Sequence, residues 1–168
     1  MSEGKSSYEG KSAGGGGGGG GGGEGKDAGD GGAPTINVDE LDVAPVMASV
    51  TAGIEINMTF TPDRDLRGAV WEVSYLVDMV GTRKIIILGR TDCGDVDAGA
   101  RTPMHFEVDA VDVSGIKRSK LCNAGLLTAS LSDAGGAGGA RRELLDVKMV
   151  VQVQKSGSDL TRMIYNPL

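Results

Sequence analysis

Residues Ile54 to Thr61 alternate strictly between apolar and polar side chains. In an extended chain a period of two places every second side chain on the same face, so this segment is predicted to be a strand with one buried and one solvated face. The alternation returns after turn-forming residues at 62–65. Its buried face would hold Trp71, Val73, Tyr75 and Val77. Two such strands joined by a turn predict antiparallel sheets that pack on each other.

Turn-forming residues divide the rest of the chain into further short strands. These predicted strands cover about 36–41, 85–88, 104–108, 125–131, 144–154 and 160–165. Residues 91–100 are typical of a loop rich in Gly and Asp, and 109–123 is ambiguous. Seven or eight short strands without an amphipathic helix predict an all-β fold, an immunoglobulin-like antiparallel β-sandwich in preference to a barrel.

Composition divides the chain after residue 33. Residues 1–33 contain the uninterrupted run Gly14 to Gly23 and no Val, Ile, Leu or Phe. Such a segment cannot bury enough apolar area to offset an ordering cost of about 1–2 kcal/mol per residue, so a disordered Gly-rich tail is predicted. Residues 34–168 are long enough for one sandwich domain with a single core.

Charge and cysteine content limit the class of partner and the compartment. A formal net charge of −6 argues against direct nucleic-acid binding, which needs a basic field. Neither a signal peptide nor an apolar run of about 20 residues is evident, so we expect no membrane association and an intracellular location. Cys93 and Cys122 have no metal or redox spacing, which favours free thiols over the alternative, a disulfide.

Few residues could support catalysis. The single histidine, His105, lies in an alternating strand and is expected to point to solvent. Asp92, Asp95 and Asp97 lack the downstream glutamate of a calcium loop, and residues 20–26 lack the hydroxyl residue and the preceding strand of a phosphate loop. We therefore expect a protein that is not an enzyme and that needs no cofactor and no metal.

Several short strings occur in the order in which a known family carries them. They are Glu55-Ile56-Asn57-Met58-Thr59-Phe60, Asp65-Leu66, Trp71-Glu72-Val73-Ser74-Tyr75, and then Gly157, Leu160, Arg162 and Tyr165. In these strings the chain resembles the anti-silencing-function histone chaperone family from about Ile36 to the C-terminus. The resemblance implies an immunoglobulin-like sandwich.

The resemblance also implies a position for a binding surface. In that family a sheet holds a helix of histone H3 through an apolar residue, an acidic residue and an arginine on the last strand. Arg162 aligns with the arginine, Lys148 with the apolar residue and Lys84 with the acidic residue. Because a lysine cannot accept the charge of a basic partner, the resemblance implies the fold more directly than it implies histone binding.

We predict a non-enzymatic protein-interaction module, an adaptor or structural subunit of a larger intracellular assembly such as a ciliary axoneme or a transport complex. Its partner would be a protein, held on a sheet face or an edge strand. The residues predicted to form the binding surface are Lys84, Lys148, Val150, Gln152, Arg162 and Ile164. Two alternatives are a histone H3–H4 chaperone and a sandwich that binds a lipid or a peptide between its sheets.

Overall fold

Each alternating segment forms a strand with one buried face. The computed structural model describes residues 32–79 and 81–168, and a compact unit spans Ala33–Leu168. The predicted tail lies outside the described residues except for Gly32 and Ala33. The strands are β1 Ile36–Ala44, β2 Met47–Ser49, β3 Ala52–Pro62, β4 Leu66–Met79, β5 Thr82–Val96, β6 Thr102–Ala110, β7 Ala124–Asp133, β8 Arg142–Ser156 and β9 Asp159–Tyr165. A single turn of helix, α1, spans Arg118–Leu121.

The strands of the described residues form two antiparallel sheets. The smaller sheet has the order β1-β3-β6, and the six-stranded sheet has the order β2-β9-β8-β7-β4-β5. All neighbouring strands pair in antiparallel fashion. The predicted all-β antiparallel sandwich is therefore confirmed.

The core lies between the two sheets and is centred on Trp71. This side chain is fully buried on β4, and its ring meets the fully buried ring of Phe60 on β3 edge to face, with centroids 5.4 Å apart and planes at 72°. Such pairs contribute about 0.5–1.5 kcal/mol beyond the area that they bury. Leu127, Leu131 and Met149 are also fully buried, so the lone tryptophan is a core residue.

Several elements of the structure differ from the sequence prediction. The predicted loop at 91–100 is wrong for its first half, because β5 continues to Val96 along β4 with irregular register around Gly94. Gly94 has φ +66°, a conformation that glycine adopts without strain, so pairing with β4 continues through a turn-like sequence. The short strand β2 and the helical turn α1 were not predicted.

A buried ion pair closes the β7–β8 hairpin. Asp133 is fully buried, and its two carboxylate oxygens accept hydrogen bonds from Arg142 Nε at 3.1 Å and Nη2 at 2.8 Å. Burial acts to raise the pKa of Asp133, but the hydrogen bonds from Arg142 and the Gly135 backbone, with the charges of Arg142 and Arg141, outweigh it. They hold that pKa below its ordinary value.

Replacing Asp133 with Asn should lower the free energy of unfolding by about 2 kcal/mol near neutral pH, because Arg142 loses its charged partner. A carboxyl with a depressed folded pKa stabilises the protein above its unfolded pKa of about 3.9, and this stabilisation is lost as pH falls through the folded pKa. Urea unfolding of both proteins from pH 7 to pH 2 should therefore show the difference shrinking below about pH 4. A difference that is constant across this range would contradict the assignment.

Candidate protein-interaction surface

Three of the predicted surface residues lie together on the outer face of β8. Lys148, Val150 and Gln152 are exposed, whereas the residues between them, Met149 and Val151, are buried in the core. This follows from the strict period of two along the strand. The outer face of the six-stranded sheet therefore carries these three side chains side by side.

Arg162 and Ile164 do not belong to this surface, which corrects the sequence prediction. They are 2% and 3% exposed, and they lie opposite the inward residues Val153 and Val151 in the register of β9 with β8. Residues directly opposite in a sheet share a face, so both side chains point to the interior.

The two Nη atoms of the Arg162 guanidinium are bound by backbone carbonyl groups of the β2–β3 corner, whereas its buried Nε has no hydrogen-bond partner among the described residues. Nη1 donates to the carbonyl oxygens of Ser49 at 2.9 Å, Val50 at 3.3 Å and Ala52 at 2.7 Å, and Nη2 donates to that of Gly53 at 2.6 Å. Burial lowers the pKa of the guanidinium, and the nearby Tyr75 partly opposes this effect. In this structure Arg162 is a structural cation that holds the corner next to β9.

Lys84 lies apart from the β8 residues. It is on β5 opposite the inward residue Val77, at the end of the sheet, and the two strands β7 and β4 separate it from β8, which carries Lys148. A Cβ atom added to Gly115 would lie 2.5 Å from Lys84 Nζ, so the lysine side chain lies over that loop. The six predicted residues are therefore divided among the outer face, the interior and one end of the sandwich.

The register of the sheet aligns one outward apolar residue from each of five neighbouring strands. Val150 lies opposite Tyr165 on β9 and opposite Leu126 on β7. Leu126 lies opposite Leu76 on β4, and Leu76 lies opposite Ile85 on β5. Tyr165 and Val150 are each 46% exposed and Ile85 is 62% exposed. We call these five residues the outer row, which is about 19 Å long because neighbouring strands are about 4.8 Å apart.

Further apolar side chains widen the outer row at both ends. Met47 on β2 is 58% exposed and lies opposite Met163, next to Tyr165, and Ile87 on β5 is 55% exposed beside Ile85. Leu76 and Leu126, in the middle of the row, are half-buried. Contiguous apolar patches at a protein surface mark interaction sites in soluble proteins. Sequence reasoning found only Val150 of the outer row. The available signal was the occurrence of apolar residues, such as Leu76 and Leu126, at positions that the alternation assigns to solvent.

Polar side chains border the outer row on its two sides. Tyr165 Oη lies 3.0 Å from Gln152 Oε1, to which it donates a hydrogen bond, and Lys148 Nζ lies 3.7 Å from Asp146. An apolar centre with a polar border is the usual composition of a protein–protein interface. The arrangement suits a partner that brings an apolar stripe with polar flanks.

The outer face of the smaller sheet is acidic. His105 lies on β6, an edge strand of this sheet, and is exposed as predicted, with Nδ1 2.7 Å from Asn57 Oδ1. Its ring nitrogens lie 3.8 Å from Glu55 and 3.9 Å from Glu107. The carboxylates of this face are Asp39, Glu40, Asp42, Glu55, Glu107 and Asp109. A face of this charge attracts basic partners.

Residues 32–79 and 81–168 contain no group of three His, Cys, Asp or Glu side chains that could hold a metal ion. Over the same residues, no helix has the length and apolarity that a membrane crossing requires. Cys93 and Cys122 are free thiols in the structure, as the sequence predicted.

Comparison of the chain with models of known protein families and with curated proteins produced no match.

Proposed function

We propose that this protein is a non-enzymatic interaction module that holds an amphipathic helix of a partner protein against the outer row. The observation that carries the proposal is the alignment of five outward apolar residues across five strands. A module of this kind suits an adaptor or structural subunit of a larger assembly, such as an axoneme or a transport complex.

The dimensions of a helix match those of the outer row. A helix advances 5.4 Å per turn, and neighbouring strands are about 4.8 Å apart, so a helix laid across the strands places about one side chain per turn over each strand. The length of about 19 Å corresponds to about 13 helical residues. Apolar residues at i, i+4, i+7 and i+11 would then contact the row, which is the usual pattern of a helix held in an apolar groove.

A designed amphipathic peptide of about 18 residues, with one leucine per turn on a single face, tests the proposal. Titrated into the ¹⁵N-labelled protein, it should shift the amide signals of Leu76, Leu126 and Val150. The matched control is a peptide of the same composition in which the leucines are distributed around the helix. Equal binding of the two peptides, or shifts confined to the smaller sheet, would contradict the proposal.

Histone H3–H4 is a second candidate partner, favoured by the acidic outer face of the smaller sheet and by the resemblance to anti-silencing chaperones. Capture of H3–H4 by the protein should then weaken with salt and should be lost in a variant with Glu55→Lys and Glu107→Lys. Arg162 is unsuitable for this test because its replacement disturbs the fold. Capture that the double variant retains would argue against this candidate.

We do not propose a lipid or peptide held between the sheets. Phe60, Trp71, Leu127 and Leu131 are each fully buried and occupy this space. A close-packed interior leaves no room for such a ligand.

A further inference from the structure

Strand β5 has an open edge along its first half. It is the last strand of the six-stranded sheet and pairs only with β4. From Gly89 onward it lies beside β6, where Thr91 Oγ1 donates to the His105 carbonyl at 2.9 Å and Gly89 packs against Phe106. Between Thr82 and Leu88 no described strand covers this edge. Every second residue of such an edge directs its N–H and C=O groups outward, where they can pair with an added strand.

The open edge carries an apolar run that natural edge strands usually avoid. Residues 85–88 are Ile-Ile-Ile-Leu. Ile85 and Ile87 are 62% and 55% exposed, whereas Ile86 and Leu88 pack partly against the core. Exposed β-branched residues two positions apart provide the side-chain contacts that give strand addition its specificity.

Basic side chains lie at the start of this run. Arg83 and Lys84 are exposed, and neither forms an ion pair with a described carboxylate within 4.0 Å. Asp78 lies opposite Arg83 in the register, and the pKa of Asp112 is held below its ordinary value mainly by hydrogen bonds from Ser114, with a smaller contribution from the charge of Lys84. Lys84 also lies over Gly115, two residues before Lys117. Among the described side chains near this run, Arg83, Lys84 and Lys117 are cationic and Asp112 is anionic.

These charges disfavour a second copy of the chain as the occupant. A symmetric antiparallel pairing confined to the uncovered residues 82–88 is centred on Ile85, and it places Arg83 opposite Ile87 and Lys84 opposite Ile86 of the other copy. Each copy then brings Arg83 and Lys84 to the pairing and no carboxylate, because residues 82–88 contain no Asp or Glu. Charges of one sign gathered in an interface without a partner of the other sign are unfavourable.

We propose that the open edge of β5 accepts an extended segment of a partner protein in antiparallel pairing, and that this segment has the pattern apolar-x-apolar-x-acidic. The two apolar residues lie opposite Ile87 and Ile85, and the Asp or Glu lies opposite Arg83. Antiparallel pairing continues the order of the sheet, in which every neighbouring pair is antiparallel. This site and the outer row share Ile85, but they differ in chemistry, because the edge binds an extended backbone whereas the outer row holds the apolar face of a helix.

The probe is the peptide Thr-Ser-Val-Thr-Val-Thr-Glu-Ser, together with its counterpart that has Lys in place of Glu. The full-length protein should bind the Glu peptide about tenfold more tightly than the Lys peptide, with amide shifts confined mainly to 82–88. The variant Arg83→Glu should reverse this preference. The matched control is Lys148→Glu on the outer face of β8, which should leave both affinities unchanged, as should Val150→Asp.

Several results would overturn the proposal. They are equal affinity for the two peptides, an unchanged preference in Arg83→Glu, or no saturable binding of the Glu peptide up to about 1 mM. A dimer of the full-length chain in sedimentation experiments that Ile87→Thr abolishes would assign the edge to a second copy instead. Val150→Asp should abolish binding of the designed helix and leave binding of the Glu peptide unchanged. Failure of this proposal can therefore be distinguished from failure of the proposed function.

Discussion

Replacing Arg162 with Met is expected to lower the free energy of unfolding by about 3–5 kcal/mol. Met keeps most of the side-chain volume but removes the donors to the four carbonyl oxygens of Ser49, Val50, Ala52 and Gly53. A buried polar group left without a partner costs about 1–3 kcal/mol. Ser49 is exposed, so water can reach part of this corner. The expected loss in the free energy of unfolding is therefore smaller than four separate penalties.

Urea unfolding at pH 7 measures this effect, and Arg90→Met is the matched control. Arg90 is 71% exposed and binds Glu72 at the surface, where an ion pair contributes about 1 kcal/mol or less. Arg162→Lys should lie between the wild type and Arg162→Met, because one ammonium group cannot reach all four oxygens in the geometry of the guanidinium. A loss below 1 kcal/mol in Arg162→Met would show that the carbonyl groups find other partners.

The second large effect is expected for Val150→Asp, which should weaken binding of the designed amphipathic helix by about 100-fold or more. Val150 occupies the middle of the outer row between Tyr165 and Leu126. A carboxylate there would have to be desolvated beneath the apolar face of the helix without a cationic partner, and residues at the centre of an interface carry most of its binding energy.

The variant should fold normally because the side chain at position 150 is 46% exposed and points away from the core. Its thermal unfolding should therefore resemble that of the wild type. Gln154→Asp is the matched control, since Gln154 is also an outward residue of β8 but lies four residues beyond Val150. Isothermal titration of both variants with the helix gives the comparison. Equal affinities for the two variants would remove the outer row as the binding site.

Local patterns predicted the strands well where one face is buried. The alternation of Ile54 to Phe60 and of Val147 to Val153 appears in the structure as alternating burial. Free thiols at Cys93 and Cys122 and the exposed position of His105 also followed from local sequence. The same rule, applied to β9, would have placed Arg162 with Leu160 and Ile164 on the buried face, since residues two apart share a side.

The location of the candidate sites depended on contacts between distant parts of the chain. Leu76, Leu126, Val150 and Tyr165 are neighbours only because the register of four strands aligns them. Register depends on the packing of whole strands and on bulges such as the one between Leu131 and Ser132. Likewise, nothing near residues 82–88 in sequence indicates that β5 is the last strand of its sheet.

The sequence alone determined most of the strands and most of the side chains that avoid water, because both properties come from the period of two in an extended backbone. Tertiary structure alone decided that Arg162 is bound by the carbonyl groups of residues 49–53, more than 100 positions earlier in the chain. It also decided that five apolar residues form one row and that β5 has an open edge. These features arise from strand order and register, which depend on the free energy of the whole packed sandwich and not on any single segment.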